Sequence, residues 1–273
     1  VTVERSNGNL AQILIEPDKL YALAENDFIN YIRYPHIAYP SIVSQGVDVV
    51  DADLLHDISI DGSGVKVAIL DLGFEGYSDL VGTELPNGMI TRSFSEGGLE
   101  VNGDHGTACA EIVHDVAPEA ELYLVSMSTG VDFLDAMDWL ISQDVDVISF
   151  SVGFVNTGPG DGTDILCQKV DEAVSNGLLF VASSGNYAGG HYEGLFNDPD
   201  ADNWHDFGEY ESIELTAQAG DTIVLHLSWA APWPTNQDYD LVLYDYNFDY
   251  VDSSENIQDS YYPVESIYYS VVS

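Results

Sequence analysis

From about residue 49 to about residue 190, short apolar runs alternate with stretches of helical period. VVDADLLHDI (49–58) reads as a helix and DGSG (61–64) as a turn. VKVAILDLG (65–73), ELYLVSM (121–127), VDVISFSVG (145–153) and LLFVASSGN (178–186) read as apolar strands. Between them lie three helical stretches: GTACAEIVHDVA (106–117), closed by Pro118; FLDAMDWLISQ (133–143), with Phe133, Leu134, Met137, Leu140 and Ile141 on one side; and TDILCQKVDEAVSNG (163–177), ended by Gly177. Strands apolar throughout are strands covered on both sides. The alternation therefore predicts an α/β fold, a parallel sheet with helices on both faces.

The flanks follow other patterns. NLAQILI (9–15), PDKLYALAEN (17–26) and FINYIRY (28–34) give a β-α-β unit over residues 1–34, and the proline-bearing stretch 35–48 reads as a linker. Helical periodicity stops near residue 190, leaving a central domain over 49–194. Beyond it SIELTAQ (212–218), TIVLHLSW (222–229), YDLVLYD (239–245) and SIYYSVV (266–272) alternate like strands with one wet face. This predicts an antiparallel, β-sandwich-like module over 195–273. Its last strand runs to Ser273 without a turn, so an incomplete sheet is expected.

Charge narrows the partners. Six basic residues, Arg5, Lys19, Arg33, Lys66, Arg92 and Lys169, stand against 47 acids, a formal net charge of −41. Such a chain repels phosphates and anionic lipid, which excludes nucleic acid as a partner. The same excess fits high salt, where screening relieves the self-repulsion. No apolar run reaches membrane-spanning length. Cys109 and Cys167 make no disulfide framework, and whether they pair is open at this stage.

Candidate chemistry collects where strands end, the rim at which α/β sheets bind ligands. Asp71 ends one strand, Ser151-Val152-Gly153 follows another, and Asn186 follows a third. His105 stands at a loop-to-helix junction in DHGTACA, next to small residues that permit close approach. Asp71 alone is equally a helix cap or a metal ligand, and the following LGF supplies no second carboxylate for phosphotransfer. His105 is either a base oriented by a carboxylate or a capping histidine. Asn186 is either an oxyanion donor or a turn residue in left-handed geometry. His114, nine residues after His105, lies roughly half a turn away on a continuous helix, so the two cannot share a metal. Cys109 shares the face of His105; packing is the usual role of a cysteine among small residues.

In order, VKVAILDLG, GDHGTACAEIV, DVISFSVG and FVASSGN resemble the subtilisin-like serine proteases, the subtilase or S8 peptidase family. The resemblance covers about residues 49–190. It implies a serine endopeptidase in which Asp71 orients, His105 is the general base and acid, Asn186 lines the oxyanion hole, and Ser151, Val152 and Gly153 form the edge that pairs with a protein or peptide substrate. It implies a secreted protein, a propeptide remnant in 1–34, and an inserted module in 195–273. No cofactor is required for that chemistry. Asp198, Asp200 and Asp202 in NDPDADNWHDF alternate as oxygen ligands for Ca²⁺ do. The family's nucleophile lies in a Gly-Thr-Ser motif, which this sequence lacks; truncation within the inserted module is the expected reason. Two alternatives are a catalytically inactive binding protein on the same scaffold, and an adhesion or carbohydrate-binding module presenting Trp204, Trp229 and Trp233 as a platform.

Overall fold

The computed structural model describes residues 2–7, 10–16, 19, 22–23, 26, 46–158, 160–186, 189–231, 236–257 and 263–272. The chain divides into two compact units, Val1–Ile42 and Val43–Ser273. In the first, β1 (Thr2–Asn7) pairs antiparallel with β2 (Leu10–Leu14), Thr2 opposite Leu14 and Asn7 opposite Leu10. The strand read at 9–15 is thus β2, and its partner comes from residues not read as a strand. The helix expected at 17–26 is described at only four residues, and the strand at 28–34 lies outside the described residues.

The second unit opens with two short helices, α1 (Gly46–Val49) and α2 (Ala52–His56). This corrects two expectations: α1 begins inside the stretch read as linker, and 49–58 is not one helix. Asp51 breaks it with a left-handed φ of 57°, a conformation no α-helix continues through.

Next comes a five-stranded parallel sheet in the order β4-β5-β3-β6-β7, built from β3 (Lys66–Asp71), β4 (Ile90–Ser93), β5 (Glu121–Ser126), β6 (Val147–Phe150) and β7 (Leu179–Ala182). Alternation sorts the central strands. Val67, Ile69, Leu122 and Leu124 bury one face with Ala110 of α4 (His105–Val116). Ala68, Leu70, Tyr123 and Val125 bury the other with Phe133, Met137 and Leu140 of α5 (Gly130–Ser142) and Ala173 of α6 (Ile165–Ser175). Each of the larger aliphatic and Phe or Met side chains among them contributes about 1.5–3 kcal/mol by leaving water, and helices cover both faces as the pattern predicts. A further short helix, α3 (Tyr77–Leu80), follows β3.

Beyond the sheet, β8 (Thr222–Ser228) pairs antiparallel with β11 (Val264–Ser270), and β9 (Leu241–Tyr244) with β10 (Tyr250–Ser254). SIELTAQ (212–218) forms no strand, contrary to expectation. Its alternating Ile213 and Leu215 stay exposed, so its pattern has no buried face to serve. Among the described residues no helix is long and apolar enough to cross a membrane.

Candidate active site

Register fixes the rim. Leu70 pairs with Phe150, and Phe150 with Ala182. The next residues, Asp71, Ser151 and Ser183, therefore stand side by side at the carboxyl ends of β3, β6 and β7. Asn186 follows on the β7 side, exposed, and among the described residues no hydrogen bond joins it to Asp71 or His105.

Across this rim comes the first turn of α4. His105, its first residue, places Nδ1 2.8 Å from Asp71 Oδ2. Asp71 is 1% exposed, while the His105 side chain is 59% exposed. Asp71 Oδ1 accepts the Leu72 backbone N–H at 2.8 Å. Burial pushes the Asp71 carboxyl above its ordinary value, against the pull of the Leu72 N–H and of His105. With Nδ1–H donating to the carboxylate, a neutral His105 keeps its lone pair on Nε2, which has no partner among the described residues.

Two glycines permit this approach. A Cβ on Gly106 would lie 2.6 Å from Gly73 O, 2.8 Å from Phe74 Cε1 and 2.9 Å from Asp71 Cβ; one on Gly73 would lie 1.5 Å from Val101 O. Thr107 Oγ1 donates to Glu75 O at 3.1 Å, holding the helix end on the loop after β3. The small residues after His105 are plain in the sequence, whereas Gly73 is signalled there only as a glycine closing an apolar strand.

Cys109 lies one turn along α4. Its sulfur, His105 and Asp71 offer ligand atoms within 4.8 Å of one another. Burial, then the Asp71 charge, push its thiol up, and a hydrogen bond from Ser151 pulls it down. A thiol so held is a poor nucleophile. Cys109 and Cys167 are both free. His114 is half-buried, and its Nδ1 has no hydrogen-bond partner among the described residues.

Farther along, Asp198, Asp200 and Asp202 bring carboxylate oxygens within 4.8 Å of one another. Asp198 accepts the backbone N–H groups of Asp202 and Asn203, each at 3.1 Å. The field of Asp202, above all, raises the Glu211 carboxyl, with Asp200, Asp206 and Asp198 adding to it, so five acids share this region. Of the tryptophans, Trp229 meets Tyr239 edge-on with its indole N–H buried, Trp204 is exposed, and Trp233 lies outside the described residues.

The family model described as Subtilase family, Peptidase S8, matches residues 62–225, more than half of the chain. Subtilisin E of Bacillus subtilis (strain 168) is 30% identical over 196 residues, covering 65% of this chain and 49% of its own length. The major intracellular serine protease of the same strain is 31% identical over 186 residues, covering 59% and 55%. Among solved structures a lanthipeptide protease aligns at a TM-score of 0.40 and 20% identity, over 55% of this chain and 51% of that one. The chain spans about half the length of the curated relatives it matches.

Proposed function

The chain belongs to the subtilase family, and from that premise we propose that it supplies the acid–base half of a serine endopeptidase active site. The observation that carries the proposal is the 2.8 Å contact between His105 Nδ1 and the buried Asp71 carboxylate. It fixes the tautomer in which Nε2 takes a proton.

In this reading His105 Nε2 accepts the proton of a serine hydroxyl as its oxygen attacks the peptide carbonyl. Asp71 stabilises the resulting imidazolium. Asn186 donates to the developing oxyanion, a contribution of about 3 kcal/mol. The imidazolium then protonates the departing amine, and water releases the acyl group by the same path in reverse. Ser151, Val152 and Gly153 lend backbone groups to an extended peptide. The nucleophile is a serine outside residues 1–273, since no Gly-Thr-Ser occurs within them.

Further parts of the reading rest on sequence and composition. Residues 1–34 act as a propeptide, the protein is secreted as a zymogen, and its acidic surface suits strong salt. Asp198, Asp200 and Asp202 hold Ca²⁺, which would brace their loop and takes no part in the chemistry.

A longer form carrying a Gly-Thr-Ser segment tests the central reading. It should be labelled by a fluorophosphonate and should cleave an unfolded protein, with His105→Ala lowering kcat by about 10⁴–10⁶. Absence of labelling in a folded longer form overturns the proposal.

A further inference from the structure

Beyond β6 the chain stays extended. Ser151, Gly153 and Val155 are exposed, whereas Val152, Phe154 and Asn156 are half-buried, the period of two that a strand shows. The Phe154 ring sits 5.6 Å from Phe133 and 6.4 Å from Phe150, rooting the stretch in the core. No described residue hydrogen-bonds to the backbone of residues 152–155. A row of unpaired N–H and C=O groups on an extended, anchored segment is what an added peptide strand pairs with.

The far end of this row is held by a different part of the molecule. Asn156 has a left-handed φ of 60°, which asparagine tolerates better than most residues. Its Nδ2 donates to Glu265 O at 2.9 Å and to Ser266 Oγ at 2.8 Å, both on β11. That landing point is itself fixed. Ser266 Oγ also meets His226 Nδ1 of β8 at 2.9 Å. Glu265 is 1% exposed, and its carboxylate accepts Asn256 N and Nδ2, each at 2.8 Å, and the Ser254 hydroxyl.

We propose that Asn156 is a positioning residue that clamps the open segment Val152–Val155 to β11, so that the carboxy-terminal β module sets the edge on which an extended peptide pairs. That the peptide is a substrate rests on the protease reading; the clamp and the pairing do not.

The chain as it stands suffices for the test, because neither measurement needs a nucleophile. Backbone NMR order parameters for residues 152–155 should stand at about 0.85, as in rigid backbone, and fall below about 0.6 in Asn156→Gly, which keeps the left-handed geometry but removes the carboxamide. Ser266→Ala should fall part of the way, and Ser266→Thr, which restores the hydroxyl, should return to the parent value. Order in β3 and β5 should not change. By fluorescence polarisation, a fluorescein-labelled Ala-Ala-Leu-Ala-Ala peptide should bind about ten-fold more weakly to Asn156→Gly, the loss expected for one or two hydrogen bonds. Unchanged order in Asn156→Gly and Ser266→Ala overturns the clamp. Lowered order with unchanged or undetectable peptide binding overturns its role in pairing. Fluorophosphonate labelling, which needs the serine, judges the protease reading separately.

Discussion

Gly106 donates its backbone N–H to Gly73 O at 3.2 Å, and a Cβ on Gly106 would stand 2.6 Å from that same oxygen. The obstacle is backbone, which cannot swing aside as a side chain can. Gly106→Ala therefore has to lift the first turn of α4 from the end of β3. Overpacking of this kind costs about 1–3 kcal/mol, and the lift breaks the Asp71–His105 hydrogen bond. Thermal unfolding should show the loss, and the downfield imidazole N–H proton of His105 should vanish from the NMR spectrum. Retention of both parent stability and that resonance contradicts the steric argument.

Asp71→Asn should separate stability from function. The native carboxyl holds its proton to a higher pH than the ordinary 3.8, chiefly because it is buried. For a raised value, the group's stabilising contribution is complete below the unfolded value and is lost as pH rises through the native one. At neutral pH the ionised carboxylate is thus a burden on the fold, and the neutral isostere should unfold at a higher temperature. The gap should narrow as pH falls toward 3.8. In a nucleophile-bearing form the same change should lower kcat by about 10⁴, through loss of the tautomer. Parallel melting curves for the two proteins across this range would remove the basis for the raised value.

The sheet was legible because its central strands are buried on both faces and so are apolar without interruption, as in VAIL (67–70) and LYLV (122–125). Asp71 was legible because a polar residue at a strand end interrupts that pattern, and His105 because it stands at a loop-to-helix junction beside small residues. β4 and β10 escaped notice because ITRS and YVDSS are half polar, as strands near a sheet edge can be. SIELTAQ misled for the opposite reason: its alternation serves no buried face. The links from Ser151 to Cys109 and from Asn156 to β11 join residues with no shared motif or periodicity, so only the folded chain reveals them.

Cys109 should alkylate slowly. Burial and the Asp71 charge raise its thiol above the ordinary 9.0, while the Ser151 hydroxyl lowers it. Since the thiolate is the reacting form, iodoacetamide at neutral pH should modify it more slowly than a small thiol. Asp71→Asn should accelerate the reaction, and Ser151→Ala should retard it further. Mass spectrometry of Cys109 against time reads all three rates, and an inverted order for the two variants refutes the assigned causes.

Calcium should stabilise the loop at Asp198, Asp200 and Asp202. A ligand at one hundred times its Kd adds about 2.7 kcal/mol to stability. The unfolding midpoint should therefore climb with CaCl₂ at fixed ionic strength, and the climb should disappear in Asp200→Asn. Without added calcium, Asp200→Asn should be neutral or stabilising, because it relieves repulsion among acids that already raise the Glu211 carboxyl. Equal response of both proteins to calcium would place the ion elsewhere.

Salt should raise stability over a range where most proteins show little change. A net charge of −41 on 273 residues leaves the acids to repel one another, and the Debye length falls from about 10 Å at 0.1 M to about 3 Å at 1 M. Most of that repulsion is therefore gone by about 1 M KCl, and the unfolding midpoint should rise steeply to that point and flatten beyond it. Lys169 provides an internal comparison. It bonds Asp138 at 2.7 Å and Glu172 at 2.6 Å, with its own side chain 17% exposed. Lys169→Met should cost up to about 1 kcal/mol at low salt, since both carboxylates lose their cation, and less at 1 M, where screening weakens the pair as well. The same salt thus stabilises the whole fold while devaluing this one attraction. A midpoint that falls with KCl, or a Lys169→Met penalty that grows with it, would mean that screened repulsion does not govern this fold.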